Sequence, residues 1–218
     1  MDIQKSPRGV EAVCLEVYGM LSASVTHEIK NTLSIINENA GLIQDLCAMV
    51  EGDDGVPAGR VDASMQMIAN QVNRSNVIMK NLNRFSHSND RIPDQADLSE
   101  TVTLLVALTS RFAAMRKVSV ATDCESGHVI TTNVLTLYCL VFLILKTLYS
   151  LCLEDTTLLV SGKQAAGLLE LRFVPEKTNS QTYPPDFPGE KEKMLAEHIG
   201  ATCSCEDGEV VVILKERG

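Results

Sequence analysis

Apolar residues recur at alternating steps of four and three along the first part of the chain. Proline is absent between residues 10 and 50, where the positions that keep this spacing are Ile29, Leu33, Ile36, Ala40, Ile43, Cys47 and Val50. Such a heptad spacing is typical of a long helix that packs along one apolar seam. Residues 51–59 contain three glycines and one proline, which is the composition of a turn. The sequence therefore predicts a first helix over residues 10–50.

A second run with the same spacing begins directly after this turn. Its members are Val61, Met65, Ile68, Val72, Met79 and Leu82, with Ser75 as the one polar position. The run continues to about Phe85, and Pro93 closes it. Two helices of similar length joined by a short loop predict an antiparallel hairpin. Because a lone hairpin exposes much of its apolar seam, we expect two copies to pair into a four-helix bundle, and the chain to be a homodimer.

The composition changes beyond Asp90 toward alternating and β-branched segments, so we place a domain boundary between residues 1–90 and 91–218. The pattern after the boundary predicts helices at 97–115, 132–153 and 190–199, and strands at 117–122, 157–161, 168–174, 201–205 and 209–214. The predicted fold class is therefore α+β. A helical hairpin that forms a dimeric four-helix bundle is followed by an α/β two-layer sandwich.

Charge and cysteine usage narrow the classes of partner. The formal net charge of −9 argues against nucleic acid and anionic membranes, which bind through clustered lysine and arginine. Residues 1–9 are polar and lack the apolar core of a signal peptide, and Lys146 interrupts the apolar stretch 135–153, so we expect a buried helix there and a cytoplasmic protein. The seven cysteines form no C-x-x-C pair, which predicts reduced thiols and no metal site.

The residues with candidate chemistry lie on a polar stripe of the first helix. His27, Asn31, Ser34 and Glu38 are three or four positions apart, away from the apolar seam, so His27 should face solvent. The run from His27 to Leu33, with the letters HEIKNTL, resembles the H-box of sensor histidine kinases, H-E-[IL]-[KR]-N-x-L. In that family the histidine takes a phosphoryl group on a ring nitrogen and passes it to an aspartate of a response-regulator receiver domain.

The resemblance implies a role for each matching residue and a fold for the whole chain. His27 corresponds to the phosphoryl acceptor, Glu28 to the carboxylate that accepts the ring proton, and Asn31 to the residue that positions a hydrolytic water in receiver phosphatases. Lys30, Ser34 and Glu38 are candidates for contact with the receiver. The order of elements resembles a full histidine kinase core, in which a dimerising helical domain precedes an ATPase-like domain.

The segments that hold ATP in this family do not match. The asparagine position of the N-box falls on Thr147, and the expected D-x-G-x-G turn is replaced by residues 175–179, which read PEKTN. Gly189 is the one glycine between Lys177 and Glu190, so no glycine-rich lid is present in the sequence. We therefore expect no ATP binding and no cofactor of the chain's own, with Mg²⁺ supplied by the receiver.

A kinase-like chain without a nucleotide site resembles the dimeric histidine phosphotransferases of phosphorelays. The predicted function is exchange of a phosphoryl group between His27 and a receiver aspartate, with an upstream hybrid histidine kinase as a further partner. Two alternatives remain open: a non-catalytic pseudokinase that docks and modulates a receiver or kinase, and an unusual active histidine kinase or receiver phosphatase. A His27→Ala variant separates the first from a phosphotransferase, and a nucleotide titration tests the kinase.

Overall fold

The computed structural model describes residues 9–49, 56–165, 168–178, 183 and 186–215 of the chain. By its internal contacts the chain forms two compact units. The first, Ser22–Asn83, is the helical unit, and the second, which joins Met1–Leu21 to Arg84–Gly218, is the sandwich unit. The α+β class is confirmed. As a division into functional domains, the boundary between residues 90 and 91 stays a prediction, and by contacts the start of the first helix belongs to the sandwich unit.

Two long helices, α1 (Val10–Ala48) and α2 (Ala58–Ser86), supply the helical unit. Both lie within two or three residues of the ranges that the heptad spacing predicts. The side chains that one copy of this unit buries are few and include Val25, Thr32 and Leu46. Members of the apolar seam stay exposed, among them Leu33, Met65, Val72 and Met79. One copy of the hairpin therefore leaves this part of the seam uncovered.

The sandwich unit is built on a mixed sheet of five strands. The strands are β2 (Val118–Cys124), β4 (Thr156–Ala165), β5 (Leu168–Pro175), β6 (Ala201–Glu206) and β7 (Glu209–Lys215), in the spatial order β2-β4-β5-β7-β6. Only the pair β2 and β4 is parallel; the other neighbours in this sheet are antiparallel. Alternate residues of β5, Leu169, Leu171 and Phe173, are fully buried, which is the pattern of a sheet with one covered face.

Three helices complete this unit: α3 (Leu98–Met115), α4 (Val134–Leu151) and α5 (Glu190–His198). α4 is the core helix, because its side chains from Leu137 to Leu145 are buried on every side. Both α3 and α4 are long and apolar enough to cross a membrane by length and composition, but 72% of the α4 window is buried inside the protein. The expectation of a buried helix in this stretch is confirmed.

The start of α1 helps to cover α4. Val13, Val17 and Leu21 recur every four residues and are almost fully buried. The ring of Phe85 stacks between Tyr18 of α1 and Tyr138 of α4, at centroid distances of 6.3 and 6.0 Å. The apolar surface that α4 presents away from the sheet is thus removed from water, which explains why this helix is apolar all round.

The hydrophobic pattern of the sequence does not predict two short strands that the structure contains. β1 (Asp94–Asp97) pairs antiparallel with β3 (Val129–Thr132) as a separate two-stranded sheet. Each has four residues, and β1 has the polar sequence DQAD, so neither shows enough apolar alternation to predict a strand. The cap of α3 lies at the end of this two-stranded sheet. There the Asp97 carboxylate accepts hydrogen bonds from the backbone N–H groups of Glu100 and Gly127.

Candidate functional site

His27 lies near the middle of α1, on an uninterrupted part of the helix. Residues 27–38 contain neither glycine nor proline, so the helix continues through the whole H-box-like run. The side chain of His27 is exposed, as its place on the polar stripe predicts. Lys30, Asn31, Ser34 and Glu38 are exposed as well. One rigid element therefore presents all of these candidate side chains to solvent.

Glu28 has different surroundings from its neighbour His27. Its side chain is only 12% exposed, and its Oε2 atom lies 3.9 Å from Nη2 of Arg74 on α2. The Arg74 side chain is 59% exposed, so its guanidinium remains close to water. The H-box carboxylate is therefore turned toward α2, where it forms an ion pair across the hairpin.

A pair of hydroxyls lies one helical turn beyond Glu28. Oγ1 of Thr32, which is 1% exposed, is 2.8 Å from Oγ of Ser75 on α2. Each hydroxyl is also within hydrogen-bond distance of a carbonyl of its own helix, Thr32 with Ile29 at 2.8 Å and Ser75 with Gln71 at 2.9 Å. This contact explains the one polar position of the second seam, because Ser75 bonds to α1 instead of packing as an apolar residue.

Sequence reasoning did not select Arg74, Gln71 or Thr32 as functional residues. The available signal was the spacing of polar residues within the hairpin: Glu28 and Thr32 are four apart on α1, and Gln71 and Ser75 are four apart on α2. Residues at that spacing share one face of a helix. Which face meets which depends on the register of the two helices, and the sequence pattern does not provide it.

The segment that corresponds to the N-box is part of α4. Thr147 is half-buried and lines a cavity of about 380 Å³ together with Lys146, Arg116, Lys191 and Glu192. The rest of the segment, residues 142–149, is almost entirely apolar and buried. Among these side chains Thr147 offers a single hydroxyl where the family has an amide oxygen for Mg²⁺.

The segment after β5 is bound to neighbouring backbone. The N–H of Glu176 donates to the carbonyl of Thr157 at 2.8 Å, and the carbonyl of Lys177 accepts from the N–H of Leu153 at 3.1 Å. Thr178 forms an isolated bridge with Cys152. Asn179, the last residue of the PEKTN stretch, lies outside the described residues. Residues 176–178 thus pair with the start of β4 and with the chain just before it.

The first turn of α5 contains two acidic residues, Glu190 and Glu192. Glu192 is only 8% exposed, and its Oε2 atom would lie 3.0 Å from a Cβ at Gly189, the residue before the helix. Negative side chains are favourable at a helix N-terminus, where they interact with unpaired N–H groups. The start of α5 therefore already carries two negative side chains of the chain itself.

Metal ligands and disulfides are not found at these places. Across the described ranges, no three His, Cys, Asp or Glu side chains come together as a metal site. None of the seven cysteines, all of which lie in the described ranges, forms a disulfide. Burial raises the pKa of the Cys152 and Cys205 thiols, so these two side chains are neutral near pH 7 and poor metal ligands.

The chain is similar to solved structures of histidine kinases. The histidine kinase AdeS of Acinetobacter baumannii is similar at a TM-score of 0.50 and 11% sequence identity, over 88% of this chain and 98% of that one. A histidine kinase from Burkholderia phymatum STM815 is similar at a TM-score of 0.50 and 12% identity, over 86% of this chain and 99% of that one. No family model matches the chain, and no curated protein sequence matches it.

These similarities define the class of fold. The chain has the architecture of a histidine kinase core, with long N-terminal helices followed by an ATPase-like domain built on a mixed five-stranded sheet. The expected fold, drawn from the H-box-like run and the order of elements, is confirmed. At identities of 11 and 12% the similarity concerns the fold, and the roles of His27, Glu28 and Asn31 stay predictions.

Proposed function

We propose that this protein is a histidine phosphotransferase of two-component signalling, which exchanges a phosphoryl group between His27 and the aspartate of a receiver domain. The observation that supports it most is the exposed His27 within an H-box-like run, on a chain with the fold of a histidine kinase core. A phosphotransferase needs an accessible imidazole on a rigid support, and the middle of α1 supplies one.

The chemical step needs no group beyond the imidazole and the receiver. Imidazole is mostly neutral near pH 7, so a ring nitrogen of His27 can attack the phosphorus of the receiver's aspartyl phosphate. An N–P bond forms while the P–O bond to aspartate breaks, and aspartate leaves as a carboxylate. The proton on the other ring nitrogen then passes to solvent, which leaves an uncharged imidazole ring that carries the anionic phosphoryl group. The reverse step phosphorylates a receiver.

Three features of the sandwich unit support a source of phosphate other than ATP. Thr147 replaces the N-box asparagine, residues 176–178 pair with neighbouring backbone, and Glu190 and Glu192 place negative charge at the start of α5. A nucleotide phosphate at this helix would face like charge. In our proposal the chain has no cofactor of its own, and the receiver brings the Mg²⁺ that neutralises charge on the transferred group.

The exposed seam supports a homodimer. Leu33 and Met65 are each 55% exposed, and both belong to the heptad seams of the hairpin. Large apolar side chains repeated along one stripe are typical of a surface that another helix covers. We propose that two copies bury these stripes in a four-helix bundle and that each dimer presents two His27 side chains.

Other site residues have secondary roles in this proposal. Lys30, Ser34 and Glu38 share the exposed side of α1 and would contact the receiver, while Asn31, one turn beyond His27, would position water for hydrolysis of the receiver's aspartyl phosphate. An upstream hybrid histidine kinase would supply the phosphoryl group through its own receiver. Such a pathway operates in the cytoplasm, which is where we place the protein.

The experiment that tests this function is phosphotransfer to a His27→Ala variant. Receiver domains charged with radiolabelled acetyl phosphate are mixed with the wild-type chain, with His27→Ala and with His87→Ala as a matched control. His87 is exposed too, but it follows α2 in a short helical turn, His87–Asn89. We expect label on the wild-type chain and on His87→Ala, and none on His27→Ala.

Equal labelling of all three chains would contradict the proposal. A docking pseudokinase predicts a different result: the receiver binds the wild-type chain and His27→Ala with the same affinity, and no label is transferred to either. Sedimentation of each variant checks that His27→Ala keeps the oligomeric state of the wild-type chain, because an exposed helical position tolerates alanine.

A further inference from the structure

Five polar residues of α1 and α2 form what we call the polar layer: Glu28, Thr32, Gln71, Arg74 and Ser75. The first two belong to the H-box-like run, and the other three lie on α2. We propose that Arg74 is a positioning residue for phosphotransfer at His27. It holds the Glu28 carboxylate against α2 and cancels its charge, so that this charge does not repel the incoming phosphoryl group. The inference rests on the proposed function and adds a residue on the opposite helix to the site.

The burial of Glu28 is the first argument. A carboxylate that is only 12% exposed loses most of its hydration and needs a compensating partner. Within the described part of the chain, Arg74 is the cation that forms an ion pair with it. Arg74 itself is 59% exposed, so the pair has one shielded member and one member that still reaches solvent. Such a guanidinium can hold the carboxylate in place without being buried itself.

The register of the hairpin is the second argument. The 2.8 Å contact between the hydroxyls of Thr32 and Ser75 fixes one point where α1 meets α2. Glu28 lies one turn before Thr32, and Arg74 directly precedes Ser75. Because Thr32 is buried and Ser75 is half-buried within the hairpin, a shift of either helix would break this contact along with the ion pair. Arg74 is therefore placed beside Glu28 by the packing of the hairpin.

Gln71 gives the third argument. Its Oε1 atom is buried and has no hydrogen-bond donor among the described residues. An unpaired buried acceptor is costly, and Arg74 lies one helical turn farther along the same face, with five N–H donors. Arg74 is thus one helical turn from an acceptor that lacks a donor, which offers the guanidinium a second partner in the layer besides Glu28.

The consequence concerns the charge that the phosphoryl group meets. The group is anionic in both the donor and the product, and Glu28 is the immediate neighbour of His27. Like charges on neighbouring residues repel each other, and the repulsion weakens less where one of the charges is shielded from water. When the Glu28 carboxylate is paired with Arg74, the two side chains together have no net charge. Without Arg74, an uncompensated carboxylate remains beside the nucleophile.

A mutant cycle on Arg74 and Glu28 tests this inference. The wild-type chain and the variants Arg74→Ala, Arg74→Lys, Glu28→Gln and Arg74→Ala/Glu28→Gln are compared, with Arg60→Ala as the control because Arg60 is an exposed arginine of the same helix. The donor is phosphoramidate, which needs no receiver. The N–P bond to His27 forms as the donor's P–N bond breaks, and ammonia leaves with the ring proton.

We expect Arg74→Ala to slow labelling of His27 about tenfold, the factor that a barrier increase of about 1.4 kcal/mol produces. Arg74→Lys keeps the charge and should recover most of the rate. The double variant should also recover, because Glu28→Gln removes the uncompensated charge. Arg60→Ala should equal the wild-type chain. A merely structural role of Arg74 predicts no recovery in the double variant, so recovery identifies the charge as the cause.

Two results would overturn the inference: an Arg74→Ala rate equal to the wild-type rate, or a double variant as slow as Arg74→Ala. Circular dichroism and sedimentation of Arg74→Lys and of the double variant check that these comparisons are made on folded chains. Failure of the proposed function has a separate signature, in which no phosphorylated receiver labels the wild-type chain although phosphoramidate does. A wild-type His27 that neither donor labels would overturn both proposals.

Discussion

Neighbouring residues of the H-box-like run differ in what surrounds them. His27 is exposed, whereas Glu28 is turned into the hairpin and paired with Arg74 across a distance of 3.9 Å. The motif identifies both residues from sequence, because the letters are contiguous. The partner of Glu28 comes from another helix, 46 positions farther along the chain, and only the packed structure provides it. The same holds for Thr32 and Ser75.

Asp97 caps a helix and joins it to the turn before β3. It caps α3 by accepting a hydrogen bond from the N–H of Glu100 at 2.9 Å, and it accepts a second from the N–H of Gly127 at 2.8 Å. We expect Asp97→Ala to lower the free energy of unfolding by about 1 kcal/mol, the usual effect of removing a cap. Urea unfolding measures it. Asp97→Asn is the matched control, because its amide oxygen can still cap the helix; equal losses for both variants would contradict the capping role.

The same side chain gives stability a pH dependence. Burial raises the pKa of Asp97, but the backbone hydrogen bonds of Glu100, Gly127 and Ser99, together with the electrostatic effect of His128, lower it by more, so the pKa lies below the usual value. Because the pKa is lowered, the contribution of the ionised Asp97 side chain to stability is fully present above its unfolded-state pKa, about 3.9. It is lost as the pH falls through the lower pKa of the folded state. The stabilities of the wild-type chain and Asp97→Asn should therefore converge below about pH 3.9, and parallel acid profiles would contradict this.

The periodic hydrophobic pattern predicts where the long helices lie but not which of their polar residues meet. The heptad spacing predicts α1 and α2 to within a few residues, and the capped start of α3 follows from Asp97-Leu98-Ser99-Glu100. The spacing also identifies a stripe that one chain leaves exposed. It does not tell which polar residues close the inner face of the hairpin. The four-residue strands β1 and β3 are too short to show any period, and the sequence predicts neither.

A charge on the seam tests the dimer at the scale of the helices. Met65 and Met67 belong to the same helix and are 55% and 48% exposed, but only Met65 lies on the heptad seam. We expect Met65→Glu to weaken dimerisation by at least about 2 kcal/mol, because an unpaired carboxylate would be buried in an apolar interface. Met67→Glu should leave it unchanged. Sedimentation equilibrium measures both, and equal behaviour of the two variants would contradict the seam as the interface.

For the whole molecule, the sequence predicts the fold better than it predicts the site. A core helix apolar on every side, five strands of a two-layer domain and a helical hairpin follow from hydrophobic pattern and order, whereas the mixed pairing of the strands comes from the structure. The departures from a nucleotide site are also visible in the sequence, at Thr147 and at residues 175–179. The burial of Glu192 at the start of α5 is not visible in the sequence, because it depends on contacts that form only in the folded sandwich unit.

These features of the sandwich unit support our proposal that His27 receives its phosphoryl group from another protein and not from ATP. The most direct measurement is the source of label on the purified chain. One sample is incubated with radiolabelled ATP and Mg²⁺, and another with receiver domains carrying radiolabelled aspartyl phosphate. Acid-labile, base-stable label at His27 is then located by peptide mapping. We predict label from the receiver and none from ATP; label at His27 from ATP alone would contradict the account.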